Sequence, residues 1–72
     1  MLRAAHRLAQ RVNTAIQQLR GMPNSGRPGL RVGTRERVVP KTPYIVVYRT
    51  RDDVLEILHM FHERQDWTHV DD

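Results

Sequence analysis

The apolar residues of the first twenty positions recur at steps of three and four, which is the spacing of one face of an α-helix. The stripe consists of Ala5, Leu8, Ala9, Val12, Ile16 and Leu19. The pattern predicts an amphipathic helix at about residues 2–20. Gly21 is expected to end the helix in a left-handed conformation, and Pro23 to prevent its restart.

The pattern changes after residue 33, where three short apolar runs alternate with turn residues. Runs rich in β-branched and aromatic residues favour strands, and Pro pairs and Asp pairs favour the turns between them. We predict antiparallel strands at about 34–39, 44–49 and 54–62, a loop at 21–33 and a tail at 63–72. The expected fold is a small α+β domain in which one helix packs on a three-stranded antiparallel sheet.

The third predicted strand is apolar on both of its faces. Strict alternation places Leu55, Ile57, His59 and Phe61 on one face and Val54, Glu56, Leu58 and Met60 on the other. One helix can cover only one face of a sheet. We therefore expect a second copy, a partner protein or a further segment to cover the rest.

The chain has 72 residues, which is enough for one domain (residues 1–72) of marginal stability. It has no Cys, so neither disulfides nor Cys-based metal sites can stabilise it. Its net charge of +4 is unevenly distributed. Residues 1–35 carry seven Arg and no acidic residue, whereas residues 36–72 carry five basic and eight acidic residues. The basic half favours an anionic partner, and no apolar run is long enough to predict a membrane span.

The Arg-rich, acid-free N-terminus also has the character of a mitochondrial presequence. We favour a helix of the fold itself, because its removal would leave a bare three-stranded sheet.

Two groups of side chains suggest metal binding or acid–base catalysis, and we favour a simpler role for each. His59, His62 and His69 suggest a metal site, but residues three apart on a strand point to opposite faces, so we assign no metal and no other cofactor. Glu36 and Glu56 could form an acid–base pair. We interpret them instead as strand residues that balance Arg neighbours across the sheet.

Arginine and aromatic residues are the better candidates for a binding site, because Arg bonds phosphate bidentately and aromatic rings stack on bases. The set comprises Arg49, Arg51, Arg64, Tyr44, Tyr48 and Trp67. Tyr44 and Tyr48 are expected to be half-buried sheet residues. For Arg64 and Trp67, a binding role and an anchoring role stay equally open.

The order and spacing of several segments resemble the ParE-type toxins of the RelE/ParE superfamily, from type II toxin–antitoxin modules. The segments are Gly26-Arg27-Pro28-Gly29, Arg35-Glu36-Arg37-Val38-Val39, Pro43-Tyr44-Ile45-Val46-Val47-Tyr48-Arg49, and Val54 through Leu58 followed by His62 through Trp67. The first helix resembles the second helix of that family. Family members usually begin with a strand and a further helix, so this chain resembles a shortened member, and we expect it to self-associate or to depend on a partner.

Two activities occur in the superfamily, and the resemblance implies one of them. RelE-like members cleave messenger RNA in the ribosome, whereas ParE-like members inhibit DNA gyrase. Ile45 stands where RelE-like members commonly place a catalytic Arg, while Arg64 matches a second basic position of theirs. If the chain were a nuclease, Arg64 and His62 would be its candidate catalytic residues. We favour gyrase inhibition.

The resemblance further implies a cytoplasmic protein that a cognate antitoxin neutralises. Arg49, Arg64, Asp66 and Trp67 are the expected target- or antitoxin-binding residues. Two alternatives stay open: a ribosome-dependent mRNA endonuclease, with the ribosome and mRNA as partners, and an inactive toxin-derived module that only binds antitoxin.

Overall fold

A computed structural model describes the backbone of residues 2–65 and the side chains of residues 5–65. Helix α1 spans Leu2–Gly21 and is followed by strands β1 (Arg27–Pro28), β2 (Arg35–Val38), β3 (Tyr44–Arg51) and β4 (Val54–His62). The strands form one antiparallel sheet in the order β1-β2-β3-β4. The α+β class and the up-and-down hairpins are confirmed. The predicted tail from Asp66 onward lies outside the described residues.

The sheet has one strand more than the sequence predicts, because β1 lies inside the predicted loop. This two-residue strand pairs Arg27 with Glu36 and Pro28 with Arg35. The loop is held there by Tyr48, whose buried hydroxyl accepts a hydrogen bond from the backbone N–H of Gly26 and donates one to the carbonyl of Pro23. Such a strand has almost no local signal, since a side chain distant in sequence positions it.

Gly26 is required at the point where the loop approaches the sheet. A Cβ atom built on Gly26 would lie 2.4 Å from the Tyr48 hydroxyl oxygen and 2.8 Å from the Glu36 carbonyl oxygen. Both distances are shorter than van der Waals contact, so any larger residue would push the loop away from Tyr48.

The predicted reason for the end of α1 is wrong, although its position is nearly right. Gly33 is the only glycine with a positive φ among residues 2–65, so Gly21 is not left-handed. The N–H of Met22 still donates to the carbonyl of Gln18 in helical fashion. The helix therefore continues through Gly21, and Pro23 remains the residue that cannot extend it.

The core lies between α1 and one face of the sheet. Tyr48, Leu19, Val39, Val46 and Ala15 form the buried cluster on that face. A second cluster of Ile45, Val47 and Phe61 is buried on the opposite face.

A β-bulge in β4 overturns the predicted alternation of that strand. Val47 pairs with His59 whereas Tyr48 pairs with Ile57, so Leu58 is an extra residue with no cross-strand partner. Directly paired residues share a face. Leu55, opposite Thr50, therefore lies on the α1 side of the sheet, and Phe61, opposite Ile45, lies on the other side.

Strand β4 is the last strand of the sheet, and much of its apolar surface is exposed. Val54, Ile57, Leu58 and Met60 are each at least 40% exposed. No described segment pairs with its outer edge. Strand β4 thus offers both unpaired backbone groups and uncovered apolar side chains.

Candidate functional site

Arg49 lies near the end of β3 and is engaged in an ion pair. Its Nε donates to Oε1 of Glu56 at 2.6 Å, directly across the strand pair. This hydrogen bond, together with the positive charges of Arg49 and Arg51, holds the pKa of the Glu56 carboxyl below its usual range, despite partial desolvation. Arg49 therefore presents a largely compensated charge.

Glu36 has an equivalent partner on the neighbouring strands. The Nε and Nη2 of Arg27 both lie 3.0 Å from its Oε1, and Glu36 is only 7% exposed. The interpretation of Glu36 and Glu56 as strand residues that balance cross-strand Arg neighbours is confirmed.

His62 and Arg64 lie at the opposite end of the sheet from Arg49. The backbone N–H of Arg64 donates to Nδ1 of His62 at 3.0 Å, and the His62 ring meets the Tyr44 ring edge-on at 5.4 Å between centroids. His62 pairs with Tyr44, five residues from Arg49 along β3, so the two groups are separated by about 17 Å. The side chains of Arg49 and His62 also point to opposite faces of the sheet, because Tyr44, the partner of His62, is an odd number of residues from Arg49.

Ile45, which the family resemblance places at a catalytic Arg position of RelE-like members, is 7% exposed and packs with Val47 and Phe61. The prediction that Tyr48 is half-buried is wrong: it is fully buried, because its hydroxyl hydrogen-bonds to the loop at Pro23 and Gly26, which makes it a structural residue. Asp66, Trp67 and His69 lie outside the described residues. The structure therefore brings His62 and Arg64 together but does not bring Arg49 to them.

His59 and His62 point to opposite faces, as predicted, since they pair with Val47 and Tyr44 respectively. Within residues 2–65 no group of three or more potential metal ligands comes together. In the same part of the chain, no helix is both long and apolar enough to cross a bilayer.

The flank of α1 that faces β4 is an open apolar groove. It is lined by Ala5, Leu8, Ala9, Val12, Asn13, Ile16 and Met60. Of the predicted helix stripe only Leu19 is fully buried. The remaining apolar positions of the stripe form a surface that a protein partner could cover.

The other flank of α1 is a basic cleft against the β2–β3 turn, and sequence reasoning missed it. Arg7, Arg11 and Lys41 line two adjoining hollows of about 370 and 280 Å³. The available signal was the i, i+4 spacing of Arg7 and Arg11, but their proximity to Lys41 depends on how α1 crosses the sheet.

Comparison with known proteins gives the decisive observation. The family described as "ParE toxin of type II toxin-antitoxin system, parDE" matches residues 2–67. The chain belongs to the ParE toxin family. The match covers every helix and strand described above.

A curated relative agrees with this assignment. The protein named "Putative toxin Y4kP" from Sinorhizobium fredii (strain NBRC 101917 / NGR234) is 46% identical over 67 residues, which are 93% of this chain and 69% of the relative. No solved structure matches the chain. Membership of the ParE family implies a cognate antitoxin as partner.

Proposed function

We propose that this ParE family member is a cytoplasmic toxin that inhibits DNA gyrase by protein–protein contact, and that its cognate antitoxin neutralises it. The arrangement of the charged groups is the observation that supports gyrase rather than mRNA as the target. Phosphoryl transfer requires cations and a proton donor positioned around one phosphate. In residues 2–65, Arg49 and the His62–Arg64 pair lie on different ends of the sheet.

Ile45 supports the same choice. A nuclease Arg at this position would direct a guanidinium to the reacting phosphate, whereas Ile45 contributes to a buried apolar cluster. Residue 45 therefore supplies no cation to stabilise the negative charge that develops on the phosphate during cleavage. Inhibition by binding needs no such group.

We propose Arg64 as the described residue that contacts the target, with Asp66 and Trp67 beside it in sequence. Arg64 is exposed, and no side-chain bond within the described residues engages its guanidinium. The roles of Asp66 and Trp67 rest on their sequence position and on the family resemblance. Arg49 has a supporting role, because Glu56 compensates its charge.

The exposed apolar surface supports neutralisation by a protein partner. The groove on α1 and the outer edge of β4 adjoin at Met60. A partner that covers both would bury apolar area and pair the free backbone groups of the edge.

Induced expression in bacteria tests the proposal. We expect growth arrest with filamentation and a DNA damage response, while protein synthesis continues at first. Arg64→Ala and Trp67→Ala should each weaken the arrest, whereas Arg20→Ala, which removes an exposed charge in the last turn of α1, should not.

Two other results would overturn the gyrase assignment. Halted translation with cut messages would indicate the mRNA endonuclease. Harmless expression of a folded chain that still binds antitoxin tightly would indicate an inactive binding module.

A further inference from the structure

We propose that the basic cleft between α1 and the β2–β3 turn binds an acidic, partly apolar segment of a protein partner. The cleft is lined by Arg7, Arg11 and Lys41 together with neutral residues. The neutral lining residues are Leu8, Gln10, Thr14, Ala15, Gln18, Pro40, Thr42 and Pro43. None of the described lining residues is acidic.

The cations of the cleft differ from Arg27, Arg35 and Arg49 of the sheet region in having no internal partner. Arg27 and Arg49 pair with glutamates, and Arg35 donates to the carbonyl of Gly26. In contrast, the side chains of Arg7, Arg11 and Lys41 form no hydrogen bond or ion pair with any described residue. Three gathered positive charges repel one another, and an external anion would relieve that repulsion.

A fourth positive charge lies behind the cleft. Nη2 of Arg37 donates to Oε1 of Gln18, which lines the cleft, while Nε of Arg37 is buried without a hydrogen-bond partner in the described residues. Its charge is therefore only weakly compensated and adds to the positive potential of the cleft.

Lys41 has a strained backbone conformation. Its φ is 63°, in the left-handed region that favours Gly or Asn. Flanking prolines and the hydrogen bonds from the N–H and Oγ1 of Thr42 to the carbonyl of Val39 fix the turn. A cationic side chain kept in such a conformation suggests a binding role, since the turn itself would be more stable with Gly, which has no Cβ.

The lining favours a peptide over a nucleic acid. Leu8, Ala15, Pro40 and Pro43 give the cleft apolar surface beside its cations. This combination suits carboxylates that alternate with apolar side chains. Single-stranded nucleic acids gain affinity by stacking bases on aromatic rings, and no aromatic residue lines the cleft in the described part of the chain.

Binding of an acidic segment in the cleft does not depend on gyrase as the target. A gyrase inhibitor, a nuclease and a non-toxic binding module would all retain the cleft, so failure of either proposal leaves the other in place.

The test is fluorescence anisotropy of the full chain with a short labelled peptide that alternates Glu with Leu and Ala. The expected result is saturable binding that weakens with added salt and is lost when Gln replaces Glu in the peptide. Combined Arg7→Gln and Arg11→Gln substitution should weaken binding by about three- to tenfold. Combined Arg20→Gln and Arg51→Gln substitution removes the same charge elsewhere and should leave affinity near that of the parent chain.

Lys41→Gly separates binding from stability. It should raise or maintain the midpoint of urea unfolding, because it relieves the positive φ, and it should still weaken peptide binding. An affinity unchanged by Lys41→Gly and by the Arg7/Arg11 pair would overturn the proposal, as would an equal loss in the Arg20/Arg51 control. Tighter binding of a single-stranded oligonucleotide, if the same cleft substitutions abolish it, would show that the cleft binds nucleic acid rather than a peptide.

Discussion

Single side chains in this protein are explained largely by cross-strand partners. The sequence favoured structural roles for Glu36 and Glu56, and their ion pairs with Arg27 and Arg49 agree. Charge balance on neighbouring strands can be anticipated, because opposite charges stabilise a sheet when they face one another. The role of Tyr48 could not be anticipated, since its partners at Pro23 and Gly26 are over twenty residues away.

Tyr48→Phe is expected to destabilise the chain by about 1–3 kcal/mol, because it leaves the N–H of Gly26 and the carbonyl of Pro23 without their buried partner. The measurement is the midpoint of urea unfolding. Tyr44→Phe is the matched control, since no hydrogen bond of the Tyr44 hydroxyl is found in the described residues. A similar cost for both substitutions would contradict the assigned role of Tyr48.

The Glu56 carboxyl should titrate below the range of an ordinary glutamate, because Arg49 hydrogen-bonds to its ionised form. The pair's contribution to stability is present above the pKa of the unfolded chain and is lost as the pH falls through the lower folded pKa. In NMR titrations, Arg49→Gln should raise the Glu56 pKa more than Arg51→Gln does. An unchanged pKa in Arg49→Gln would show that the ion pair is not formed in solution.

The helix and the three longer strands could be read from the sequence because each has a strong periodic pattern. The bulge at Leu58 could not, since inserting one residue preserves the apolar composition of β4 while moving its first half to the opposite face. The end of α1 was placed correctly but for the wrong reason, as Gly21 keeps a helical backbone. Sequence patterns thus located the elements better than they assigned faces and caps.

The two-residue loop between β3 and β4 has Asp52 and Asp53 at φ 54° and 64°, the signature of a type I′ turn. Asp53→Gly should stabilise the hairpin by about 0.5–1 kcal/mol, because Gly adopts positive φ without a Cβ penalty. Thermal unfolding followed by circular dichroism measures the gain. Asp53→Ala removes the same charge but keeps a Cβ, so a gain of equal size there would attribute the effect to charge instead.

At the scale of the whole molecule, the sequence already indicated membership of a toxin family and an incompletely covered sheet. The ParE match and the exposure of Ile57, Leu58 and Met60 agree with that picture. The basic cleft escaped detection because it exists only where α1 lies against the β2–β3 turn. Surfaces assembled from distant segments are the part of a site that a single sequence does not show.

The uncovered apolar groove and the open edge of β4 predict that the isolated chain self-associates at micromolar concentration, because both surfaces gain free energy when covered. Light scattering coupled to size exclusion measures this. Met60→Lys places a charge where the groove meets the edge and should shift the population toward monomer. A stable, folded monomer of the parent chain would contradict the prediction.

We propose that this ParE family member acts on gyrase by binding rather than by cleaving RNA. The deciding measurement is DNA supercoiling by purified gyrase in the presence of increasing amounts of the purified chain. We expect loss of supercoiling, weaker loss with Arg64→Ala, and recovery when the cognate antitoxin is added. Undiminished supercoiling, together with cleavage of ribosome-bound mRNA by the same preparation, would contradict it.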